Sequence, residues 1–190
     1  MSAGTAPLPS VVLFEGRSDI LAFRALARRR EAGLDAVELV ELGGITNLRR
    51  KLRSLQADGR PAVLGLYDGA EERYVRGVLR DVGLIDDGTA DLRTVGFFGC
   101  ERDLEDEVIR AAGEEIILET LAVRGELTRF RVFQGQPAQR ERSIEQQLHR
   151  FAGTAAGRKA RFAADVIDAV PLERMPRPLT ELLDAALRGR

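Results

Sequence analysis

Acidic side chains recur where three short apolar runs of this chain end. If those runs are parallel strands, their carboxyl ends meet at one edge of a sheet, where ligands bind in open α/β folds. Carboxylates gathered there repel one another unless protonation or a cation relieves the repulsion. Oxygen ligands without histidine favour Mg²⁺ or Mn²⁺ over zinc. The candidate metal ligands are Glu15, Asp19, Asp68, Asp103 and Glu105.

An acid after a strand can also serve only as a helix cap. Asp19, or Ser18 before it, suits an N-cap position. Capping explains Glu15 poorly, because Gly16 and Arg17 separate it from the helix. We therefore expect a functional role for Glu15, whereas Asp19 could do either.

The elements that position these acids follow from the pattern of apolar residues. Short runs rich in β-branched and aromatic residues alternate with helical patterns, which predicts βαβ units and a parallel sheet buried on both faces. The predicted strands are Val11–Phe14, Val37–Val40, Ala62–Tyr67 and Thr94–Phe98. The predicted helices between them are Asp19–Arg30, Asn47–Ala57 and Glu71–Val82.

After Cys100 the chain becomes mainly helical. We expect a flexible arm over residues 1–10, an α/β domain over 11–112, and a helical extension over 113–190 that packs on the core. The predicted elements after Cys100 are helices 102–112, 114–124, 143–151, 158–169 and 179–187, with a short strand at Phe130–Phe133.

Composition excludes several classes of protein. The 190 residues carry a net charge of −1 and hold no apolar run near the roughly 18 residues of a membrane span. One cysteine rules out an internal disulfide, and with a single histidine it leaves no Cys/His zinc site within the chain. The start "MSAGTAPLPS" is not a secretory signal, so the expected location is the cytoplasm.

The near-neutral total hides a basic segment. Residues 128–161 hold eight cations and two acids, a balance of about +6 that suits phosphate contacts or merely a solvated surface. The residues that we expect to bind nucleic acid there are Arg140, Arg142 and Arg158.

A glycine-rich turn, "LGGIT" at 42–46, follows the second predicted strand. Gly43 and Gly44 could bring backbone N–H groups near a nucleic-acid phosphate, or they could form an ordinary strand-to-helix turn. The chain lacks G-x-G-x-x-G and G-K-[ST], so it carries no visible dinucleotide or ATP site.

These motifs together resemble the Toprim domain shared by topoisomerases, primases and the OLD (overcoming lysogenization defect) nucleases. "EGRSD" after the first strand, "LGGITNL" after the second, an acid closing the third and a later "DLED" are most similar to the OLD type. The likeness is clearest over residues 10–110. Taken whole, the chain looks like short bacterial proteins that carry an OLD-type Toprim domain without its ATPase domain.

The resemblance implies a Toprim-like (Rossmann-like) α/β fold and a metal-dependent endonuclease that nicks or cuts DNA. It implies one or two Mg²⁺ or Mn²⁺ ions, with Glu15 as ligand or general base. "GRKARFA" is loosely similar to the segment that carries a catalytic lysine in those nucleases, which makes Lys159 its counterpart. The nucleic acid that it binds could also be RNA. A homodimer and a separate ATPase partner are further expectations. No association with a membrane is expected.

One position departs from the pattern. The family's Asp-x-Asp reads Asp68-Gly69-Ala70 here, so the second aspartate is missing. Glu71 or Glu72 could reach the same ion with a longer side chain.

The alternative is a degenerate Toprim module that binds nucleic acid or a partner protein without cleavage. A receiver-like phosphoacceptor role for Asp68 fits less well, because "EGRSD" lacks the adjacent pair of acids that such a site needs.

Overall fold

A computed structural model describes residues 10–60, 62–86 and 90–188. It contains one four-stranded sheet whose strands are all parallel, in the order β2-β1-β3-β4. The strands are β1 (Ser10–Phe14), β2 (Val37–Glu41), β3 (Val63–Tyr67) and β4 (Phe97–Gly99). The predicted α/β class and the parallel sheet are confirmed.

Helices cover both faces of this sheet. Along β1, Val12 and Phe14 face one apolar core while Val11 and Leu13 face the other, because successive strand residues point to opposite faces. The helices are α1 (Arg17–Arg29), α2 (Leu48–Ala57), α3 (Glu72–Asp81), α4 (Leu104–Val123), α5 (Leu127–Gln134), α6 (Ile144–Ala152), α7 (Ala156–Ala169) and α8 (Arg177–Arg188).

The smaller core lies under α2 and α3, and the larger one under α1 and the helices that follow β4. Leu148, Ile167 and Leu183 of the last helices are fully buried in the same core as Phe14 and Phe23. The segment after residue 113 therefore completes the apolar layer on one face of the sheet, with α7 packed along α1.

Three local predictions need correction. The segment predicted as a strand at Phe130–Phe133 is helix α5; Phe130 and Phe133 share one helix face and pack against Phe151, with ring centroids 5.1 and 5.5 Å away. The fourth strand starts later, at Phe97, because a 3₁₀ turn occupies Leu92–Val95.

The third correction concerns the start of the chain. Ser10, assigned to the flexible arm, is the first residue of β1 and is buried. The remainder of that predicted arm, residues 1–9, lies outside the described residues. No helix in the described part of the chain is both long enough and apolar enough to cross a bilayer.

Candidate active site

A cavity of about 450 Å³ opens at the carboxyl edge of the sheet. Its walls come from the turns after β1, β2 and β3 and from the first turns of α4 and α7. Two cations, Arg17 and Lys159, line it together with five acids. The acids are Glu15, Asp19, Glu41, Asp68 and Glu105.

The pairing of β1 with β3 explains why Glu15 and Asp68 meet. Leu13 lies beside Gly65, so the chain leaves the two strands at nearly the same height. Glu15 follows Phe14 directly, and Asp68 follows Tyr67 directly. Both carboxylates therefore enter one cavity, as the sequence pattern predicts.

Asp19 caps α1 from the third helical position, since Gly16 and not Asp19 is the N-cap residue. Its Oδ2 accepts a hydrogen bond from the Gly16 N–H at 3.1 Å, which caps α1. It also lines the acidic cavity. The pKa of Asp19 is raised to about 7, chiefly by burial; the Gly16 hydrogen bond opposes this rise, and the nearby charges of Glu105 and Glu15 add to it.

Asp68 is held in the same electrostatic environment. Burial, followed by repulsion from Asp19, Glu15, Asp103 and Glu105, raises the pKa of Asp68 to about 7. None of the ion pairs among the described residues involves Asp68, Asp19 or Glu15. The cavity thus concentrates negative charge that the protein's own cations compensate only in part.

We expect the metal-free protein to lose stability as the pH rises from about 4 to about 7. Over this range Asp19 and Asp68 bind protons in the folded state, with pKa values of about 7, but release them in the unfolded state near 3.8. Because the folded state then holds more protons, its stability falls with rising pH. Thermal melts across this range in EDTA measure the effect.

The variant Asp68→Asn isolates the contribution of that carboxylate. At pH 7.5 it should unfold at a higher temperature than the wild type, by about 2–4 °C for each kcal/mol of relieved repulsion. Its melting temperature should also depend less on pH. An equal or lower melting temperature at pH 7.5 would contradict the electrostatic picture of this cavity.

Close backbone packing fixes the end of β3. The Gly69 N–H donates to the Arg102 carbonyl at 2.8 Å, and the Cys100 N–H donates to the Tyr67 carbonyl at 2.9 Å. A Cβ at position 69 would lie 2.1 Å from the Glu101 carbonyl oxygen. Only glycine fits here, so this contact holds Asp68 against the segment that leads into α4.

Glu105 and Lys159 reach the cavity from the two helices opposite the strand ends. Burial raises the pKa of Glu105, and the positive charge of Lys159 partly opposes that rise. Lys159 is exposed and forms no ion pair with another described residue closer than 4.0 Å. The structure therefore places the predicted lysine beside the predicted acids, although they lie more than fifty positions apart in the sequence.

The glycine turn closes one side of the cavity. Gly43 and Gly44 have φ angles of 67° and 117°, a region that side chains disfavour. The Gly44 N–H donates to the Glu15 carbonyl at 3.2 Å, and Asn47 Nδ2 donates to the Leu42 carbonyl at 2.9 Å. The expectation of free N–H groups thus needs correction at Gly44, whose N–H instead fixes the backbone of Glu15.

Asp103 has a different environment from the other predicted acids. It caps α4 by accepting the Asp106 N–H at 2.8 Å, and its carboxylate lies 2.8 Å from Nε2 of His149. This pairing lowers the pKa of Asp103 and raises that of His149. Asp103 does not line the cavity, so the structure makes it a support for the start of α4 and gives His149 a partner that the sequence did not reveal.

The two acids that follow Asp68, Glu71 and Glu72, do not line the acidic cavity. Ala70 is exposed and Glu72 forms an ion pair with Arg76 at 2.6 Å. Glu72 lines a second cavity, not the one that contains Asp68. Neither Glu71 nor Glu72 lines the acidic cavity, because a 3₁₀ turn and helix α3 begin directly after Asp68.

The predicted nucleic-acid contacts in the basic segment are mostly engaged within the protein. Arg158 pairs with Glu126 and stacks over the Phe151 ring, with its guanidinium carbon 3.8 Å from the ring centroid. Arg140 and Arg142 donate to nearby carbonyl oxygens at 3.4 and 3.1 Å. None of these three arginines lines the acidic cavity.

Two charged residues of the cavity were not among the predicted site residues. Glu41 ends β2, and Arg17 starts α1 within the "EGRSD" motif itself. The signal for Glu41 was available, since it is the last residue of a strand and directly precedes the glycine turn. Arg17 adds a cation at the rim, which a purely acidic motif would not suggest.

The donor set suits a hard divalent cation in an incomplete site. No three Asp, Glu, His or Cys groups within the described ranges lie together closely enough to hold a metal on their own. Magnesium in phosphoryl-transfer sites is usually held by one or two carboxylates, with water and substrate phosphate filling the other positions. Glu15 and Asp68, two carboxylates that line one half-buried cavity, fit that mode of binding.

Solved structures that are similar to this chain include C-terminal regions of OLD proteins. No protein-family model and no curated protein matches the sequence. Among solved structures, the chain is similar to the C-terminal region of the Burkholderia pseudomallei OLD protein, with a TM-score of 0.70, 16% identity and coverage of 95% of this chain and 98% of that one.

A second similar structure is the C-terminal region of the Xanthomonas campestris pv. campestris OLD protein. Two structures of it give TM-scores of 0.63 and 0.61 at 24% and 25% identity, each covering 93% of both chains. The similarity extends through the helices after residue 113 as well as the sheet. The chain therefore has the Toprim-like fold of the C-terminal region of OLD proteins, as its motifs implied.

Proposed function

We propose that this protein is a divalent-metal-dependent nuclease that nicks or cleaves DNA phosphodiester bonds at the acidic cavity. The observation that carries the proposal is the convergence of Glu15 and Asp68, both half-buried and without ion-pair partners among the described residues, at the carboxyl edge of a Toprim-like sheet. A structural ion-pair network would not leave such charge uncompensated.

Glu15 and Asp68 are the residues that would hold Mg²⁺ or Mn²⁺, with Asp19 and Glu105 close enough to add negative charge. A bound ion supplies Lewis-acid stabilisation of phosphate charge and lowers the pKa of a coordinated water. The carboxylates alone would repel a phosphodiester, so the same cation also permits substrate to approach.

The chain's own groups have distinct tasks in this proposal. Glu15, directly after the inner strand β1, accepts a proton from the attacking water or helps to hold the ion. Lys159 and Arg17, the two cations of the cavity, stabilise the charge that develops on the scissile phosphate. The Gly43–Gly44 turn positions Glu15 through its backbone hydrogen bond.

The test is conversion of supercoiled plasmid to nicked or linear forms. We expect conversion with Mg²⁺ or Mn²⁺ and none in EDTA, with activity restored when excess metal is added back. A preparation that leaves the plasmid intact across Mg²⁺, Mn²⁺ and Co²⁺ would overturn the nuclease assignment.

A second function is favoured by one observation. Ala70 stands where the OLD-type motif has an acid, and it is exposed outside the cavity. A Toprim module with a weakened metal site could hold nucleic acid without cutting it. DNA binding that persists without nicking in all three metals would select this alternative.

A further inference from the structure

Helix α2 presents a basic surface that lies outside the segment expected to bind nucleic acid. Residues 45–57 contain four cations and no acid, and three of the four are exposed. The sequence "ITNLRRKLRSLQA" keeps its leucines at 48, 52 and 55 buried, so the charged side chains lie on the opposite face. The exposed cations are Arg49, Arg50 and Arg53.

These charges are only partly compensated. Arg49 pairs with Asp81 at 2.7 Å, and both side chains remain half exposed. Arg50 donates to the Asn47 side chain at 3.0 Å, which leaves its charge intact. Within the described parts of the chain, Arg53 forms neither an ion pair nor a side-chain hydrogen bond. Arg158 of the basic segment differs, because it is partly buried and forms an ion pair with Glu126.

The basic surface adjoins the acidic cavity through a single turn. Gly43 and Gly44 line the acidic cavity, and Thr46, two residues later, lines a shallow groove of about 360 Å³ with Arg49, Arg50 and Arg53. Tyr74 of α3 completes this groove and donates its hydroxyl to the Thr46 carbonyl at 3.1 Å. Two surfaces of opposite charge therefore lie on either side of residues 43–46.

We propose that the groove formed by Thr46, Arg49, Arg50, Arg53 and Tyr74 binds the phosphodiester backbone of DNA next to the bond at the acidic cavity. This inference rests on the proposed function and specifies where the flanking strand lies. Five acids in the cavity repel every phosphate except the one paired with metal, so neighbouring phosphates need cations outside it. Arg50 and Arg53 supply them, with Arg49 shared between Asp81 and the DNA.

The test is equilibrium binding to a short fluorescein-labelled duplex, measured by fluorescence anisotropy with Ca²⁺ in place of Mg²⁺, so that a cation still neutralises the acidic cavity; a gel of the duplex after the measurement verifies that it is uncut. The double variant Arg50→Gln/Arg53→Gln should bind more weakly. A plot of log affinity against log salt concentration has a negative slope, and its magnitude should be smaller by about 2 in this variant, since each lost phosphate contact removes about 1.

A charge-matched control separates a local contact from a change in net charge. Arg24 and Arg28 are exposed on α1 and line a separate cavity with residues 32–39, away from the acids. The double variant Arg24→Gln/Arg28→Gln should retain wild-type affinity and salt slope. Equal weakening in both double variants, or an unchanged slope in Arg50→Gln/Arg53→Gln, overturns the inference.

The result of this binding test can be distinguished from the result of the nicking test for the nuclease proposal. A protein that binds duplex through α2 but never nicks plasmid supports the groove and defeats the nuclease. A protein that nicks plasmid, yet binds equally well without Arg50 and Arg53, retains the nuclease and defeats the groove. Wild-type protein that binds no DNA in this measurement also defeats the groove.

Discussion

Replacing Glu15 with glutamine or Asp68 with asparagine should lower the rate of plasmid nicking by about 100-fold or more. Each change keeps the shape of the side chain but removes one of the charges that hold a divalent ion and activate water. The rate of loss of supercoiled plasmid, measured at saturating Mg²⁺ and again at saturating Mn²⁺, is the required comparison.

Matched variants elsewhere make this result specific. Glu119 is an exposed residue of α4, and Asp35 precedes β2 at the opposite edge of the sheet. Glu119→Gln and Asp35→Asn remove the same charges and should leave nicking unchanged. Because Asp68→Asn should also be more stable without metal, a loss of activity there cannot come from unfolding. Nicking that continues in both Glu15→Gln and Asp68→Asn would place the reaction elsewhere.

Gly69→Ala should destabilise the protein by about 3 kcal/mol, which corresponds to a fall of about 6–12 °C in melting temperature. The added Cβ would lie 2.1 Å from the Glu101 carbonyl oxygen, and backbone cannot rotate away as a side chain can. The strand end and the segment before α4 must separate, which also displaces Asp68. Thermal melts and plasmid nicking below the melting temperature measure both consequences.

Gly77 provides the opposite case within the next helix. It lies inside α3, and a Cβ there would meet nothing within 4 Å. Gly77→Ala should therefore stabilise the protein by about 0.5–1 kcal/mol, because alanine favours the helix and has a smaller entropy to lose on folding. If Gly69→Ala were as well tolerated as Gly77→Ala, the close contact at the end of β3 would not be what holds Asp68 in place.

Much of the candidate site could be read from local pattern. Unbroken apolar runs indicate strands buried on both faces, and the residue that follows such a run lies at the functional edge of a parallel sheet. That reasoning places Glu15 and Asp68 correctly in one cavity, and Asp19 and Glu105 beside them. The same rule would have found Glu41, had it been applied to the second strand.

The local alternation of residues and the count of charges were weaker guides to the structure after Cys100. The alternation around Phe130–Phe133 resembles a strand, but burial of both rings against Phe151 favours a helix. The eight cations of residues 128–161 predict a phosphate-binding surface, yet Arg158 is partly buried and paired within the protein. A count of charges does not tell which of them remain exposed.

The sequence by itself determined the fold class and the acids at the strand ends, because both depend on periodicities within a few residues. Only the tertiary structure decided which charges meet. Asp103 pairs with His149 across 46 positions, Arg158 meets Glu126 across 32, and α7 brings Lys159 to Glu105. Such contacts depend on how helices pack over the sheet, and no local pattern of residues fixes that packing.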